Sequence, residues 1–211
     1  TFASKLPFEI SFADSIRLVI GFESLRAKLN PIRTAINIKH KENNLYVTIK
    51  NTGRGNFFVR VQKSNIDLVV ETIPTPHDSA DGVAFVIDDG KSRFGIFTDL
   101  GHVFDQLVST INTLDAVLIE SNYDPDLLEQ GPYPLFLKQR IRGPHGHISN
   151  VESAELLQQT SHGNLRWACL AHLSAINNSP ERALATHRDI LGNRVPLIVA
   201  SRNQVSELLE V

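Results

Sequence analysis

The sequence predicts an α/β fold in which two β-sheets lie between layers of helices. The first half of the chain is rich in short strands joined by turns, whereas the second half alternates strands with helical segments. Residues 116–119 are all apolar, which is typical of a strand buried on both faces. With 211 residues, the chain has the size of one domain with its own core.

The first half carries alternating or apolar runs of strand length. Strands are predicted at residues 16–20, 45–49, 57–61, 66–70, 83–87 and 93–97. Asp89 and Gly90 form a strong hairpin signal between the last two. After the first strand, a helical pattern begins at residues 21–26 with no turn residues in between.

The second half alternates helices with strands. Helices are predicted at residues 103–114, 150–160 and 180–191, and strands at residues 116–119, 165–170 and 196–200. Ser149 or Asn150 can cap the second helix, whose first turns carry acids. Pro180 opens the third helix and Gly192 closes it.

Composition excludes several classes of function. The formal net charge of −2 gives no overall attraction to nucleic acid or anionic lipid, so any such binding must use a local patch. The single cysteine, Cys169, has apolar neighbours that predict a buried structural thiol in a reducing compartment. A P-loop, a dinucleotide-binding glycine fingerprint, a serine nucleophile elbow and a bilayer-length apolar run are absent from the sequence. These features predict a cytoplasmic protein.

Polar clusters rich in His and Asp follow the strand-like runs. They contain His77, Asp99, Glu120, His147 and His172. Loops at strand ends on a rigid sheet are where ligating side chains are best presented. Imidazole and carboxylate groups suit zinc, manganese or iron. The clusters, in this order, predict that His, Asp and His converge on one metal site.

Six of these segments together resemble the metallo-β-lactamase superfamily: PHDSADGVAF, FGIFTDLGH, LIESNYD, GPYPLFLKQRI, GHISN and AHLSAINNSPE. The resemblance spans about residues 45–200 and is strongest to the YycJ-type (WalJ-type) proteins, relatives of the tRNase Z and RNase J nucleases. It implies an αββα sandwich of two mixed β-sheets flanked by helices, with two divalent metal ions (Zn, Mn or Fe). It also implies hydrolysis of phosphodiesters, with exonuclease action on DNA.

The resemblance implies roles for individual residues. His77, Asp99 and His172 match metal-ligand positions, and Asp99 is the carboxylate that bridges both ions. Glu120 and His147 match catalytic positions, where the histidine helps to hold the scissile phosphate and the glutamate orients it. Each residue alone also has a structural explanation, such as a surface hydrogen bond or the polar end of a strand. Their joint occurrence favours the metal site.

The sequence departs from the family pattern in one respect. The family places a His-x-His-x-Asp-His motif after an early strand, and these 211 residues contain none. The motif would belong near residues 20–21, where the strand pattern changes abruptly. We expect one domain over residues 1–211 whose N-terminal part, about residues 1–44, is incomplete. The alternative is an inactive remnant.

A basic cluster and the remaining histidines have less specific patterns. Lys138, Arg140 and Arg142 form either a solvated helix face or a contact to the backbone of bound DNA. His102 either lines the site or is structural. The others are interpreted as loop, structural or solvent-facing residues: His40, His145, His162 and His187. Aromatic residues interleaved with basic ones, as in single-strand binders, are not apparent.

The predicted function is a metal-dependent phosphodiester hydrolase, a DNA exonuclease in which metals activate water and His147, backed by Glu120, acts at the phosphate. Two alternatives stay open: a small-molecule cyclic phosphodiesterase on the same fold, and a catalytically inactive binding module without the full metal site. Nucleic acid is the expected partner, and no membrane is expected.

Overall fold

The structure, a computed structural model, describes different parts of the chain at two levels. It gives the backbone of strands within residues 18–20, 35–41, 44–50, 58–63 and 66–68. It gives backbone and side chains for residues 69–79, 82–160, 165–201, 209 and 211. The helical pattern predicted at residues 21–26 lies outside these ranges.

The described strands form two sheets. A three-stranded antiparallel sheet has the order β1-β3-β2, with strands at Leu18–Ile20 (β1), Ala35–Lys41 (β2) and Asn44–Lys50 (β3). A seven-stranded sheet has the order β10-β9-β8-β7-β6-β5-β4. Its strands are Phe58–Lys63 (β4), Ile66–Pro74 (β5), Val83–Asp88 (β6), Arg93–Phe97 (β7), Ala116–Glu120 (β8), Trp167–Ala171 (β9) and Leu197–Val199 (β10).

Five helices are described in the second half of the chain. They are Asp105–Ile111 (α1), Pro125–Gln130 (α2), Leu135–Ile141 (α3), Asn150–Thr160 (α4) and Pro180–Leu191 (α5). Helix α4 packs against both α1 and α5. None of the helices in the described ranges is long and apolar enough to cross a bilayer.

The large sheet is mixed because its two halves are connected differently. Strands β4 to β7 form an antiparallel meander, and the turn at Gly90, with φ of 82°, joins β6 to β7 as predicted. Strands β7 to β10 run parallel, with helices in each connection. In the parallel half Phe97 pairs with Ile119 and Ile119 with Leu170. This register brings the carboxyl ends of β7, β8 and β9 to one edge of the sheet.

Both faces of the central strands are buried. On one face, Val117, Ile119 and Leu170 join a core that includes Leu107 of α1 and Leu157 of α4. On the other face, side chains of β6, β8 and β9 are buried as well: Phe85, Ile87, Leu118 and Cys169. Burial raises the pKa of the Cys169 thiol to about 11, which agrees with a structural role. The mixed sheet, its helices and the doubly covered strands confirm the predicted fold class.

Capping explains where the best-predicted helices begin. Ser149 and Glu152 form a reciprocal capping box at α4, in which Ser149 Oγ accepts from the Glu152 N–H (3.2 Å) and Glu152 Oε2 accepts from the Ser149 N–H (2.8 Å). Ser179 caps α5, whose first residue is Pro180. Both helices therefore begin and end where the sequence predicts.

Other elements differ from the prediction. Helix α1 begins at Asp105 and not at residue 103, because Phe104 has extended backbone, and it ends before a turn at residues 112–114. Strand β9 begins at Trp167, two residues later than predicted. Strand β2 and helix α2 were not predicted, although Asp124 followed by Pro125 is a cap signal and Asp124 accepts from the Leu127 N–H.

His187 is structural, as predicted. It lies fully buried on α5, where its Nδ1 donates to Ala183 O (2.8 Å) and its Nε2 accepts from Ser153 Oγ (3.2 Å) on α4. Burial lowers the pKa of His187 to about 4. The ring therefore joins two helices in its neutral form.

Candidate metal centre

The site lies at the edge where the parallel strands end. Asp99 follows β7, Glu120 is the last residue of β8, and His172 follows β9. His147 comes from the loop between α3 and α4, and His77 from the loop between β5 and β6. The ligating atoms of Asp99, Glu120, His147 and His172 all lie within 4.8 Å of one another. The structure thus brings all five predicted residues to one place.

Two of these residues have backbone in the left-handed region. Asp99 has φ of 55° and His172 has φ of 57°, and they are the only such non-glycine residues in the described ranges. This conformation costs a residue with a Cβ atom about 1–2 kcal/mol, less for Asp than for His. A side-chain hydrogen bond from Asn122 Nδ2 to His172 O (2.8 Å) holds the second turn. Backbone strain of this kind is typical of functional sites.

Glu120 is the centre of the hydrogen-bond network. Its side chain is fully buried, and one oxygen, Oε1, accepts from Nδ1 of His147 and Nδ1 of His172, both at 2.7 Å. The other oxygen, Oε2, accepts from the main-chain N–H groups of Leu100 (3.0 Å) and Ile148 (3.4 Å). A carboxylate accepts about four hydrogen bonds. Glu120 is therefore saturated, and it orients the histidines instead of ligating a metal.

The same bonds fix the ionisation of Glu120 and the tautomers of two rings. Burial alone would raise the pKa of Glu120, but hydrogen bonds and positive charge from His147 and His172 outweigh it and lower this pKa to about 2. Because an ionised carboxylate only accepts, both rings carry a proton on Nδ1. Their Nε2 atoms keep a lone pair when the rings are neutral, the form a metal ligand needs.

The spacing around Asp99 fits a shared ion better than direct hydrogen bonds. Its Oδ1 lies 3.8 Å from Nε2 of His172 and 3.5 Å from Nε2 of His77. These distances exceed those of ordinary hydrogen bonds. Two ligands at about 2.0–2.2 Å from a tetrahedral zinc lie about 3.3–3.6 Å apart. The His77–Asp99 distance falls within this range, and the His172–Asp99 distance would have to shorten by a few tenths of an ångström around a bound ion.

His77 would have to change its tautomer to join this set through Nε2. Its Nδ1 accepts from the Ser79 N–H (3.0 Å), so the neutral ring carries its proton on Nε2, facing Asp99. Metal binding through Nε2 requires the proton to move to Nδ1, where Asp78 Oδ1 lies 3.7 Å away. Burial is the largest cause that lowers the pKa of His77, which keeps the ring neutral at pH 7.

Two other histidines connect the loops around the site. His102 Nδ1 donates to Pro144 O (2.8 Å), and His145 Nδ1 donates to Pro76 O (2.7 Å). Gly101 lies between these loops with φ of 69°, and a Cβ atom there would come within 2.7 Å of Pro76 O and 2.8 Å of Pro144 O. Only glycine fits this close approach. His102 and His145 are therefore structural supports of the site.

The metal-ligand candidates open onto a cleft of about 370 Å³. Its floor contains His77, Asp99, His147 and His172. Two further lining residues are Tyr133, just before α3, and Ile141, the last residue of α3. The loops after β8 and β9 contribute the others: Asn122, Leu173 and Ser174. The lining thus combines the polar candidate ligands with apolar side chains and one aromatic residue, Tyr133.

The predicted basic cluster lies on and just after α3 and makes exposed polar contacts. Arg140 Nε donates to Asp78 Oδ2 (2.6 Å), and Arg142 Nη1 donates to Glu129 Oε2 (3.2 Å). Lys138 Nζ donates to the main-chain oxygen of Glu129. The hydrogen bond from Arg140 lowers the pKa of Asp78, the carboxylate beside His77. None of the three lines the cleft, so a role in substrate binding stays a prediction.

Sequence reasoning missed the buried amides that hold the loop ends. Asn178 Nδ2 donates to Ser121 O (2.8 Å) and to Asn150 Oδ1 (2.8 Å), and Asn150 Nδ2 donates back to Asn178 Oδ1 (3.0 Å). This pair connects the end of β8 to the starts of α4 and α5. The available signal was polar residues placed directly after apolar runs, at Ser121 and at Asn178.

Comparison with known proteins gives sequence relatives over part of the chain. It is 30% identical over 125 residues to the exodeoxyribonuclease YycJ of Bacillus anthracis, covering 59% of this chain and 47% of that protein. It is 33% identical over 120 residues to the exodeoxyribonuclease WalJ of Streptococcus pneumoniae serotype 2, covering 57% and 45%. The chain thus spans about half the length of these relatives.

One solved structure with a similar arrangement is Zn(2+)-bound PqqB from Methylobacterium extorquens. It has a TM-score of 0.45 and 19% identity, over 65% of this chain and 49% of that one. No family model matches the chain.

Proposed function

This chain belongs to the metallo-β-lactamase superfamily, and from that premise we propose that it carries the metal centre of a phosphodiester hydrolase that acts as a DNA exonuclease. The observation that carries the proposal is the buried carboxylate of Glu120, whose Oε1 accepts from Nδ1 of both His147 and His172, so that the lone pair of each neutral ring is on Nε2. A relative named as an exodeoxyribonuclease supports DNA as the substrate.

The residues divide into ligands and groups that act on the substrate. Asp99, His172 and His77 would hold a divalent ion, because their donor atoms have the required types and spacing. When bound, the ion supplies a Lewis acid that activates water and neutralises charge on the phosphate. His147 lines the cleft beside the ligands, so its Nε2 can hold the phosphate or move a proton to or from it. Glu120 keeps His147 in orientation throughout.

The described donors suffice for one ion. The predicted second ion needs further ligands, such as a His-x-His-x-Asp-His motif, which the 211 residues lack. We propose that the complete protein supplies them near the N-terminal part of the domain. Metal-to-protein stoichiometry and the intact mass of the natural protein test this: two ions per chain and a mass above 23.5 kDa support it, and one ion at 23.5 kDa contradicts it.

The function is tested by metal reconstitution of the full-length protein. After chelation, Zn²⁺, Mn²⁺ or Fe²⁺ is added, and degradation of end-labelled single-stranded and duplex DNA is followed. We expect hydrolysis that EDTA abolishes and that His172→Ala loses, while Lys91→Ala, on the exposed turn after β6, keeps it. Turnover of a cyclic nucleotide without DNA degradation would instead identify a small-molecule phosphodiesterase. No metal binding and no hydrolysis would leave a binding module.

A further inference from the structure

One residue that lines the cleft is followed directly by a helix with exposed apolar side chains. Tyr133 lines the cleft directly before α3. Leu135 and Phe136, the first residues of α3, are 61% and 71% exposed, and this helix has no buried residue. The helix that follows Tyr133 therefore presents two adjacent apolar side chains to solvent.

The same segment is positively charged. Helix α3 carries Lys138 and Arg140 and contains no acid, and Arg142 is the residue that follows it. The side chains of Arg140 and Arg142 are 65% and 46% exposed. Exposed ion pairs contribute little net energy, so a phosphate can replace the carboxylate partners of these arginines. The segment lacks interleaved aromatic and basic residues, but it offers one aromatic side chain in the cleft and exposed cations on the helix that follows, and single-stranded nucleic acid binds through these two kinds of contact.

We infer that Tyr133 stacks against the terminal base of a single DNA strand whose scissile phosphate lies at His147 and Asp99. The inference rests on the proposed function and specifies its substrate. The cleft of about 370 Å³ lies at the low end of the range for small-ligand sites, about 300–1,000 Å³, which suits one terminal nucleotide. A base paired within a duplex is held in its stack and would have to be extruded first. Frayed or single-stranded ends are therefore preferred.

The test compares two single-stranded oligonucleotides that differ only in the terminal residue, which carries a base or is abasic. Stacking of one base on an aromatic side chain raises binding affinity roughly 5- to 150-fold. For the full-length, metal-loaded protein we expect kcat/KM to be about tenfold higher or more for the base-containing end. Tyr133→Ala should remove this preference by raising KM for that end. Tyr133→Phe, which keeps an aromatic face, should retain it.

A second measurement separates this inference from the proposed function. Binding of both oligonucleotides is measured by fluorescence anisotropy in EDTA, where hydrolysis is prevented. Base-dependent binding that Tyr133→Ala abolishes supports the inference even if no hydrolysis is found, in which case the proposed function fails alone. Hydrolysis of both ends at equal rates with equal affinity overturns the inference and leaves the proposed function standing. Equal affinity without hydrolysis overturns both.

Discussion

Replacement of Glu120 by Gln tests whether one buried carboxylate holds two histidines in their ligating form. The carboxylate accepts four N–H donors, two from imidazole rings at one oxygen and two from the main chain at the other. A Gln side chain has the same shape but only one accepting oxygen. Its NH₂ group therefore faces two N–H donors whichever way the amide is turned.

The expected loss follows from the donors left without an acceptor. In either orientation of the amide, two of the four N–H donors have no acceptor, and the side chain at position 120 is not exposed to solvent. A buried donor without a partner costs about 1–3 kcal/mol, so we expect the free energy of unfolding to fall by about 2–6 kcal/mol. If the NH₂ group faces the imidazoles, the rings can avoid this loss of stability only by moving their protons to Nε2, which removes the lone pairs that would bind a metal. Loss of such an orienting partner lowers metal affinity by roughly 10- to 100-fold.

Urea unfolding of the metal-free protein at pH 7 measures the first effect, and competition with a fluorescent zinc chelator measures the second. The matched control is Glu129→Gln, because the side chain of Glu129 is 64% exposed and pairs with Arg142 on the surface. That substitution should change stability by at most about 1 kcal/mol. If Glu120→Gln also stays within that limit and binds zinc as wild type does, the carboxylate does not fix the tautomers and our account of the site is wrong.

Four further outcomes are expected. The pKa of Glu120 in the folded protein, about 2, lies below the ordinary 4.5, so the ionised carboxylate stabilises the fold above pH 4.5 and this stabilisation is lost as the pH falls toward 2. Acid unfolding of the wild-type protein and of Glu120→Gln measures this difference. The pKa of His187 is lowered to about 4, so the free energy of unfolding should fall by up to about 3 kcal/mol as the pH is lowered from 6.5 to 4. Urea unfolding of His187→Gln checks this, and a fall as large as that of the wild-type protein would contradict it. His172→Ala removes a proposed ligand and should weaken zinc binding by more than the roughly 10- to 100-fold that the loss of an orienting partner causes, whereas unchanged affinity in the chelator competition excludes His172 as a ligand. Gly101→Ala should lose at least about 1–2 kcal/mol from its positive φ, with more from contact with two carbonyl oxygens, and thermal unfolding checks this.

The helices that sequence reasoning predicted at both ends have strong local signals. Helix α5 has a serine cap, a proline at its first position and Gly192 after its last turn. Helix α4 has a complete capping box. Local chemistry fixes such boundaries, so no tertiary information was needed.

The site was only partly predictable because its central contact is tertiary. Glu120 and His147 could be paired through the resemblance, but the bond from Glu120 to His172, 52 residues later, depends on how β8 and β9 align. The role of Tyr133 also escaped notice, since a single aromatic residue among prolines gives no periodic signal. Arg140 was predicted as a phosphate contact, and its bond to Asp78, beside His77, required the fold to be known.

The left-handed backbone at Asp99 and His172 lowers the stability of the fold at two positions whose side chains line the candidate metal site. Glycine adopts this conformation without the penalty that a Cβ atom carries, so a chain selected for folding alone would gain by losing both side chains. The strain is tolerated only where the side chain has a task that glycine cannot perform. Both side chains line the cleft, so the backbone strain of this part of the chain is concentrated at two of the candidate ligands.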